Sequence, residues 1–421
     1  MKQITPKNNI DSTVTIPGSK SLTHRALIAA SLADGKSCLK SFLACEDTLY
    51  TVDALKKMGV NIDLKDDIAL VHGNSGLFIK DYNKVEIDLG NSGTSYRLLL
   101  STAAIAEGLF YFTGSERLKE RPVEYLVNAL RSLDVEITHT EKDGYPPVLI
   151  NASGIKGGNV KIPGDISSQY ISSLLLSGPY TKSGLEIEVS GNLVSQPYID
   201  LTLDVMSAFG IDVKHDKYKR FNVPAGRIYQ AREYVIDGDV SSASYFWGAA
   251  AVMGGAIKTE NIRPLKTRQG DIGFLNILEK MGCDVVRGDS FVMVKGGPLT
   301  GISVDMGSMP DMVPTLAVIA LFAKGKTVIH NVSHLKHKES DRIADTAREL
   351  RNIGARVEEL EDGLVIYGGE NLTGGEIDPH NDHRLAMSFA IAGLKVPEIV
   401  IRDESCVNKS FPTFWNLWAE L

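Results

Sequence analysis

The sequence predicts an α/β protein of two similar domains, each containing three copies of one repeated unit. The main observation is a pattern that recurs five times: an amphipathic helix ends, the chain turns, usually at glycine, and a β-branched strand follows. The length of 421 residues also favours two or three domains over one. The residues that precede the five turns are spaced 72 to 76 positions apart, namely Met58, Leu133, Phe209, Met281 and Ile353. Five occurrences of one pattern at a nearly constant period indicate a repeated supersecondary unit.

The two ends of the chain predict where a sixth unit lies. Its helix would end at about residue 425, at the same period, whereas the sequence stops at Leu421. The last residues, FWNLWAEL, are typical of that helix without the strands that should follow. Residues 2–16 are strand-like and have no helix before them. We therefore expect the N-terminus to supply the missing strands, so that both ends belong to one domain.

Six units divide naturally as three plus three, with a boundary between Tyr234 and Asp239. One predicted domain is continuous, residues 18–235. The other is discontinuous, residues 1–17 together with 236–421, and is closed by the N-terminal strands. The chain would cross between the domains near Pro17-Gly18 and near Asp237-Gly238, and these two crossings would form a hinge.

Composition excludes several classes of protein. The chain is 43% hydrophobic and 23% charged, as in ordinary globular proteins. A net charge of −7 argues against non-specific binding to nucleic acid or to acidic membranes. The longest nearly apolar run, residues 243–257, falls well short of the ~20 residues of a membrane span, and the N-terminus lacks the apolar region of a signal peptide. The four cysteines have no zinc-binding spacing, so we expect reduced thiols in a cytoplasmic protein.

A second helix in each unit carries the candidate functional residues. These helices follow polar caps and are rich in small apolar residues, so most of their positions are expected to be core. Their charges are unusual, because a helix N-terminus is partially positive and prefers Asp or Glu. Cations are predicted instead at three of the starts: Lys20 and Arg25 open the first helix, Arg97 stands at the start of another, and His383-Arg384 follow Asp382 in a third.

Each of these cations, taken alone, fits an ordinary solvated side chain. Several at equivalent helix starts favour a shared anion-binding site, where backbone N–H groups, a helix dipole and guanidinium groups converge. Further cations in similar settings are Arg121 before Pro122, Lys338 and Arg342 in KHKESDRIADTARELRNIG, and Lys409 in RDESCVNKSFP.

Two carboxylates stand among these cations. Glu339 and Arg342 are neighbours at i,i+3 at the predicted start of a helix. A carboxylate in such surroundings is ionised and suits proton transfer if it points into a closed cleft. Asp311, in SMPDMVP, is an isolated carboxylate at another helix start. For Asp311 a simple helix cap and a functional role both remain open.

Other functional motifs are missing. GKS at 35–37 and GKT at 325–327 lack the earlier glycine of a Walker A loop, and no GxGxxG or GxSxG pattern occurs. His330, His334 and His337 are spaced so that they could face one another on a helix, but no cysteine joins them. Ordinary polar histidines are therefore favoured over a zinc site.

Together the motifs resemble those of the 5-enolpyruvylshikimate-3-phosphate synthases, the 3-phosphoshikimate 1-carboxyvinyltransferases of the enolpyruvyl transferase family. The match runs nearly end to end, and its most specific pieces are PGSKSLTHR, LGNSGTSYR, RP at 121–122, SSQY, QPYID, PDMVPTLA, KESDR, NDHR and KSFP. The resemblance implies two similar α/β domains, each of three βαβαββ units with pseudo-threefold symmetry (an inside-out α/β barrel). It also implies a substrate cleft between the domains.

The resemblance implies a function in aromatic amino acid and chorismate biosynthesis. The enolpyruvyl group of phosphoenolpyruvate is transferred to the 5-hydroxyl of shikimate 3-phosphate, phosphate is released, and no metal or organic cofactor takes part. By motif position, the residues that contact phosphoenolpyruvate would be Lys20, Asn91, Gly93, Thr94, Arg121, Gln169, Arg342, Arg384 and Lys409. Those that contact shikimate 3-phosphate would be Lys20, Ser21, Arg25, Ser167, Ser168, Gln169, Ser195, Tyr198, Asp311 and Lys338.

The implied chemistry is addition followed by elimination. The 5-hydroxyl attacks C2 of phosphoenolpyruvate while the methylene carbon is protonated, and the tetrahedral intermediate then loses phosphate. Asp311 is the expected base at the hydroxyl and Glu339 the expected proton carrier at the methylene, with Lys20 supporting either transfer. Domain closure would exclude water that competes as nucleophile. Gly93 occupies the family's glyphosate-sensitivity position, and glycine there predicts sensitivity.

Two positions depart from the pattern of some members of the family. His334 stands where some members have Asn, so the shikimate contact expected there differs. Arg97-Leu98 stands where some have Arg-Pro, so details of that helix start should differ as well.

Two alternative functions remain. The enolpyruvyl transferase that acts on UDP-N-acetylglucosamine shares fold and chemistry, but it usually carries Cys in a loop before the RP position and Asn where Ser21 stands. Residues 112–121 contain no Cys. A non-catalytic anion-binding repeat scaffold, or a relative that processes RNA ends, should lack one of Asp311, Glu339 and Lys20. We expect a monomer that binds small anionic substrates and neither nucleic acid nor membrane.

Overall fold

The computed structural model describes residues 1–78 and 81–421. These residues form two compact units, one of Gly18–Ile236 and one of Met1–Pro17 with Asp237–Leu421. The division lies one residue beyond the boundary expected from the sequence. Within the described ranges, no helix has the length and apolar character needed to cross a membrane.

Gly18–Ile236 contains three repeats of the order strand, helix, strand, helix and hairpin. The N-terminal segment, which belongs to the other unit, precedes it with β1 (Lys2–Gln3) and β2 (Asp11–Thr15). The elements of Gly18–Ile236 are α1 (Lys20–Leu32), β3 (Asp34–Lys40), α2 (Glu46–Lys57), β4 (Asn61–Lys65), β5 (Ile68–Asn74), β6 (Asp81–Asp88), α3 (Gly93–Ala104), β7 (Glu107–Thr113), α4 (Glu116–Lys119), α5 (Glu124–Ser132), β8 (Glu136–His139), β9 (Val148–Ser153), β10 (Gly158–Pro163), α6 (Ser168–Ser177), β11 (Leu185–Ser190), α7 (Pro197–Ala208), β12 (Lys214–Asp216), β13 (Arg220–Val223) and β14 (Glu233–Val235).

The three sheets of this unit share one topology. Their strand orders are β14-β3-β5-β4, β6-β7-β9-β8 and β10-β11-β13-β12. In each sheet the first two strands are parallel and the last two form an antiparallel hairpin. The first repeat takes its leading strand, β14, from the end of the unit, so the repeats close on themselves.

The second unit repeats the same plan. Its remaining elements are α8 (Val240–Met253), β15 (Ala256–Glu260), α9 (Phe274–Met281), β16 (Asp284–Arg287), β17 (Phe291–Lys295), β18 (Ser303–Asp305), α10 (Val313–Ala320), β19 (Gly325–His330), α11 (Arg342–Asn352), β20 (Arg356–Leu360), β21 (Gly363–Gly368), β22 (Gly375–Ile377), α12 (His383–Gly393), β23 (Ile399–Ile401) and α13 (Phe414–Ala419). Short 3-10 turns at Gly270–Gly273, Pro310–Met312, Ser333–His337 and Glu404–Lys409 precede four of the helices.

The N-terminal strands serve two different sheets, which corrects the expectation that they complete the sixth unit together. β1 pairs antiparallel with β23 in the sheet β1-β23-β22. β2 instead pairs in parallel with β15, as the leading strand of the sheet β16-β17-β15-β2. The remaining sheet of this unit has the order β18-β19-β21-β20. The sixth sheet therefore has three strands, because only β1 reaches it.

The sequence period arises from one recurrent helix end. The five residues that precede the turns lie at or just beyond the C-termini of α2, α5, α7, α9 and α11, and all are at most 2% exposed. The next residue is left-handed in every case, with φ of 95°, 64°, 89°, 115° and 86° at Gly59, Asp134, Gly210, Gly282 and Gly354. A left-handed residue lets the chain turn from the helix into the next strand, and glycine adopts this conformation without steric cost.

Small residues let the inner helices approach closely. α3 packs on α6, and α10, α12 and α8 pack on one another. At Gly248 in α8, a Cβ atom would lie 2.7 Å from Cδ1 of Ile391 in α12, closer than such atoms approach. Each unit has its own buried apolar cluster around these helices, so the helix starts that carry the candidate residues are rigidly placed.

Candidate active site

In Gly18–Ile236, Lys20 is the first residue of α1 and is paired with a carboxylate. Its Nζ donates to Oδ2 of Asp47 over 2.9 Å, and the Asp47 side chain is 3% exposed. Asp47 lies in the first turn of α2, where the helix dipole also favours a negative charge. The positive charge at the start of α1 is therefore balanced within the protein, by a residue that the sequence analysis did not identify.

Arg25 is a buried cation without a carboxylate partner among the described residues. It lies in the second turn of α1, so the expectation that it opens the helix is wrong. Its guanidinium donates to Thr202 Oγ1 (2.7 Å), Ser172 Oγ (3.3 Å), and the carbonyl oxygens of Ser21 (2.9 Å) and Tyr198 (3.1 Å). Burial lowers the pKa of Arg25 to about 10. A desolvated cation with only neutral partners is costly, and a bound anion would offset that cost.

Arg97 also lies in a second turn, that of α3, rather than at the helix start. Its Nη1 donates to Oε1 of Gln169 over 2.8 Å, and the Gln169 amide donates to Thr94 Oγ1 over 3.0 Å. Nη2 donates to the Pro122 carbonyl over 3.4 Å, while Nε is buried and has no hydrogen-bond partner within the described part of the chain. Gln169 stands in the first turn of α6, whose N-cap is Ser167. The network thus fixes the orientation of Gln169 between two helix starts.

Gly93 lies against the Arg121 guanidinium. It is the first residue of α3, and a Cβ atom there would be 2.7 Å from Cζ of Arg121. Arg121 is 4% exposed. Asn91 and the N-cap Ser92 precede Gly93, so this guanidinium lies at the partially positive end of a helix. Two positive features placed together favour an anion between them.

The remaining predicted residues of this unit lie at the starts of α6 and α7. Ser168 is the first residue of α6 and is buried. Ser195 precedes α7 with φ of 54°, and its carbonyl accepts from the Tyr198 backbone N–H. The structure thus joins Thr94 with Gln169, and Arg25 with Ser21 and Tyr198, whereas Lys20 is engaged by Asp47.

In the second unit, Arg342 is the centre of a carboxylate cluster. It begins α11 and is 1% exposed. Nη1 donates to Asp311 over 2.9 Å and Nη2 to Glu339 over 2.9 Å, so the expected i,i+3 contact is present. Nε donates to Asp382 over 2.7 Å. Burial lowers the pKa of Arg342, but these three carboxylates outweigh burial and hold it above its ordinary value.

Asp311 bridges two arginines and does not cap a helix. It lies within the 3-10 turn Pro310–Met312, which has no side-chain cap. Its second oxygen accepts from Nη2 of Arg384 over 2.6 Å. Burial raises the pKa of Asp311, but the charges of Arg384, Lys338 and Arg342 outweigh burial and hold the pKa well below its usual range. Of the two interpretations left open, the structure contradicts the simple cap.

Arg384 and Lys409 are both buried, the first at the start of α12 and the second at the end of a 3-10 turn. Arg384 is the second residue of α12, where Asp382 caps its backbone N–H over 2.9 Å, and its Nη1 lies 3.3 Å from the Tyr245 hydroxyl. Lys409 ends the 3-10 turn Glu404–Lys409, which packs on α12, and is 5% exposed. Both cations therefore belong to the region around α12.

Two ionisable groups beside this cluster have pKa values that are shifted toward their neutral forms. Burial, followed by the charge of Lys338, lowers the pKa of His334 to about 4, and its buried Nε2 has no hydrogen-bond partner in the described structure. Burial and the charge of Asp311 raise the pKa of Asp271 to about 7. Asp271 accepts a hydrogen bond from the Ser241 hydroxyl. No motif in the sequence singles out Asp271.

The fold and these contacts define a class of protein. It is an α/β protein of repeated units that carries buried arginines, side chains that suit small, multiply charged anions.

Comparisons with known proteins identify the family. The model of EPSP synthase (3-phosphoshikimate 1-carboxyvinyltransferase) matches residues 4–418, so the chain belongs to the EPSP synthase family. A 3-phosphoshikimate 1-carboxyvinyltransferase from Sulfurovum sp. (strain NBC37-1) is 42% identical over 98% of this chain and 97% of its own. One from Aliivibrio salmonicida (strain LFI1238) is 41% identical over 99% and 98%. The solved EPSP synthase from Acinetobacter baumannii covers 99% of this chain and 97% of its own, with 31% identity and a TM-score of 0.82. The predicted family and fold class are thereby confirmed.

Proposed function

We propose that the protein transfers the enolpyruvyl group of phosphoenolpyruvate to the 5-hydroxyl of shikimate 3-phosphate and releases phosphate. Membership of the EPSP synthase family, along almost the whole chain, supports this activity over the UDP-N-acetylglucosamine reaction and over a non-catalytic scaffold. The observation that carries the proposal is Asp311, a carboxylate held between Arg342 and Arg384. This arrangement places a proton acceptor beside two cations suited to phosphate and carboxylate groups.

Shikimate 3-phosphate is assigned to Gly18–Ile236 and to Asp311 and Lys338 of the other unit. The uncompensated charge of Arg25 supports this assignment, because a phosphate or carboxylate would supply the missing counter-charge. The neighbouring hydroxyl groups and the fixed Gln169 amide would donate the remaining hydrogen bonds. The full set is Lys20, Ser21, Arg25, Ser167, Ser168, Gln169, Ser195, Tyr198, Asp311 and Lys338.

Phosphoenolpyruvate is assigned to residues of both units. The start of α3 with Arg121 would receive one anionic group, and the buried arginines around Asp311 would receive another. The full set is Lys20, Asn91, Gly93, Thr94, Arg121, Gln169, Arg342, Arg384 and Lys409.

Asp311 is the proposed base, and its contacts imply that substrate binding strengthens it. In the free protein two guanidinium groups stabilise its ionised form and so weaken it as a proton acceptor. When substrate anions share these guanidinium groups, the pKa of Asp311 rises. It can then take the proton of the 5-hydroxyl as oxygen attacks C2.

Glu339 is the proposed proton carrier for the methylene carbon, and Lys20 is proposed to support either proton transfer. Each already has an opposite charge at 2.9 Å, Arg342 for Glu339 and Asp47 for Lys20. Protonation of the methylene, together with bonding of the 5-hydroxyl oxygen to C2, gives the tetrahedral intermediate. Loss of a proton from the resulting methyl group and departure of phosphate then restore the carbon–carbon double bond, now in an enolpyruvyl ether, and the surrounding cations stabilise the charge on the leaving phosphate.

We further propose that the protein works in the cytoplasm as a monomer on small anions. All four cysteines are free thiols, as suits a reducing compartment.

The proposal is tested by phosphate release from phosphoenolpyruvate, measured with shikimate 3-phosphate and, in parallel, with UDP-N-acetylglucosamine. Release that depends on shikimate 3-phosphate supports the proposal, whereas release with the sugar nucleotide alone contradicts it. The Asp311→Ala variant is the control for the site, and its turnover should nearly vanish while its circular dichroism spectrum stays unchanged.

A further inference from the structure

Asp271 is a buried carboxyl group with an unusual environment. It lies in the 3-10 turn Gly270–Gly273 and is 4% exposed. Its Oδ2 accepts a hydrogen bond from the Ser241 hydroxyl on α8, and its Oδ1 has no hydrogen-bond partner in residues 1–78 and 81–421. Among the described residues, no lysine or arginine lies within ion-pair distance of it. A carboxylate so placed would be an uncompensated buried charge, which is far costlier than a neutral acid.

The charged groups that face Asp271 oppose its ionisation on balance. Asp311 and Asp239, the N-cap of α8, bring negative charge, while Arg384 brings positive charge. Arg384 is already bound to Asp311 over 2.6 Å. Tyr245, the other titratable group nearby on α8, stays neutral because burial raises its pKa to about 12. Two carboxyl groups near one arginine cannot both ionise cheaply, and Asp311 has the direct ion pair with Arg384.

We propose that Asp271 is a positioning residue that is protonated when phosphoenolpyruvate binds, and that its ionisation weakens this binding by competing for Arg384. The proposal rests on the proposed function, because it takes Arg384 as a ligand of phosphoenolpyruvate. A neutral Asp271 leaves the Arg384 charge to Asp311 and the substrate. An ionised Asp271 adds a negative charge next to an anion site and attracts the same guanidinium group.

The direction in which the KM for phosphoenolpyruvate changes with pH follows from the loss of the Asp271 proton. Burial raises the pKa of Asp271 to about 7, so the carboxyl group is protonated below that pH and charged above it. The KM for phosphoenolpyruvate should therefore rise with pH, by roughly tenfold between pH 7 and 8.5, as expected when mainly the protonated form binds the ligand. The kcat at saturating phosphoenolpyruvate should change much less, because saturation compensates for weaker binding.

The test compares pH profiles of KM for phosphoenolpyruvate in three variants. Asp271→Asn keeps an acceptor for Ser241 but cannot ionise, so its profile should lose the rise above pH 7. Ser241→Ala removes a hydrogen bond that favours the ionised form, so its midpoint should move to higher pH. Ser244→Ala is the matched control, because the Ser244 hydroxyl lies on the same helix and donates to the Ser241 carbonyl. Its profile should equal that of the parent protein.

The outcomes separate this inference from the proposed function. An Asp271→Asn profile that rises like that of the parent would overturn the inference, and so would a loss of activity that is the same at every pH. If Asp271→Asn does not fold, the other two variants provide the test. The inference would be overturned if KM for phosphoenolpyruvate rose at the same pH midpoint in Ser241→Ala and Ser244→Ala. Ionisation of phosphoenolpyruvate itself changes the KM of all variants alike, so it does not alter the comparison between them. Absence of shikimate-dependent phosphate release in the parent protein would instead refute the proposed function.

Discussion

Replacing Asp311 with asparagine should separate catalysis from anion binding. The substitution keeps the shape of the side chain and one acceptor oxygen but removes the charge that holds Arg342 (2.9 Å) and Arg384 (2.6 Å). Loss of a general base costs about 10²–10⁴ in rate, so kcat should fall by at least about a hundredfold. Both guanidinium groups would then lose one competing carboxylate, so affinity for phosphoenolpyruvate should be kept or increased.

The magnitude of the binding effect is limited by the remaining partners. A charge-assisted hydrogen bond contributes about 1.5–3 kcal/mol, and much of that is already lost to desolvation. Arg342 keeps Asp382 and Glu339, so its release is partial. A gain of about 1 kcal/mol, or roughly fivefold in Kd, is therefore the expected size. Stability should drop by less than the ~3–5 kcal/mol that a fully broken buried pair costs.

The assay combines phosphate release with calorimetric binding of phosphoenolpyruvate in the presence of shikimate 3-phosphate. Asp345→Asn is the matched control, because Asp345 is a buried carboxylate of the same unit that pairs with Arg348 over 2.7 Å. It should leave both quantities near the parent values. Turnover of Asp311→Asn within tenfold of the parent, or clearly weaker binding of phosphoenolpyruvate, would refute the reasoning.

Three further predictions follow from single contacts. Gly93→Ala places a Cβ atom 2.7 Å from Cζ of Arg121. The KM for phosphoenolpyruvate should therefore rise about tenfold, the equivalent of ~1.4 kcal/mol, and the inhibition constant for glyphosate should rise by a larger factor. An unchanged inhibition constant would contradict this prediction. Asp271→Asn should raise thermal stability at neutral pH. The parent carboxyl group has a pKa raised to about 7, so the parent loses stability as pH rises from the ordinary value of 3.8 to 7. The melting-temperature gap between variant and parent should widen over that window and stay constant above it, and a gap that narrows would count against the assignment. Gly248→Val brings side-chain atoms against Ile391, where a Cβ alone would lie 2.7 Å from Cδ1. The free energy of unfolding, measured in urea, should therefore fall by about 1–3 kcal/mol. An unchanged value would show that α8 and α12 can separate without cost.

The repeat was predictable because it depends on local chemistry. Met58 and its four counterparts are buried helix ends followed by a left-handed residue, and both features leave a mark in the sequence. Asp134, with φ of 64°, takes the position that glycine holds in the other four repeats, and Asp tolerates this conformation better than most residues. Helices, turns and their period were therefore accessible from the sequence alone.

Pairing between distant residues was not predictable in the same way. Lys20 meets Asp47 across 27 positions, and Arg342 meets Asp382 across 40. These contacts depend on how helices pack, and a helix-start carboxylate is equally typical of a simple dipole effect. The division of β1 and β2 between two sheets has the same cause, since hydrophobic alternation identifies a strand but not its neighbour.

The direct test of the central claim is mass analysis of shikimate 3-phosphate after incubation with the protein and phosphoenolpyruvate. The account predicts that the acceptor gains one enolpyruvyl group, in step with free phosphate, and that the Asp311→Ala variant yields almost none. Phosphate release that leaves shikimate 3-phosphate unmodified would contradict it.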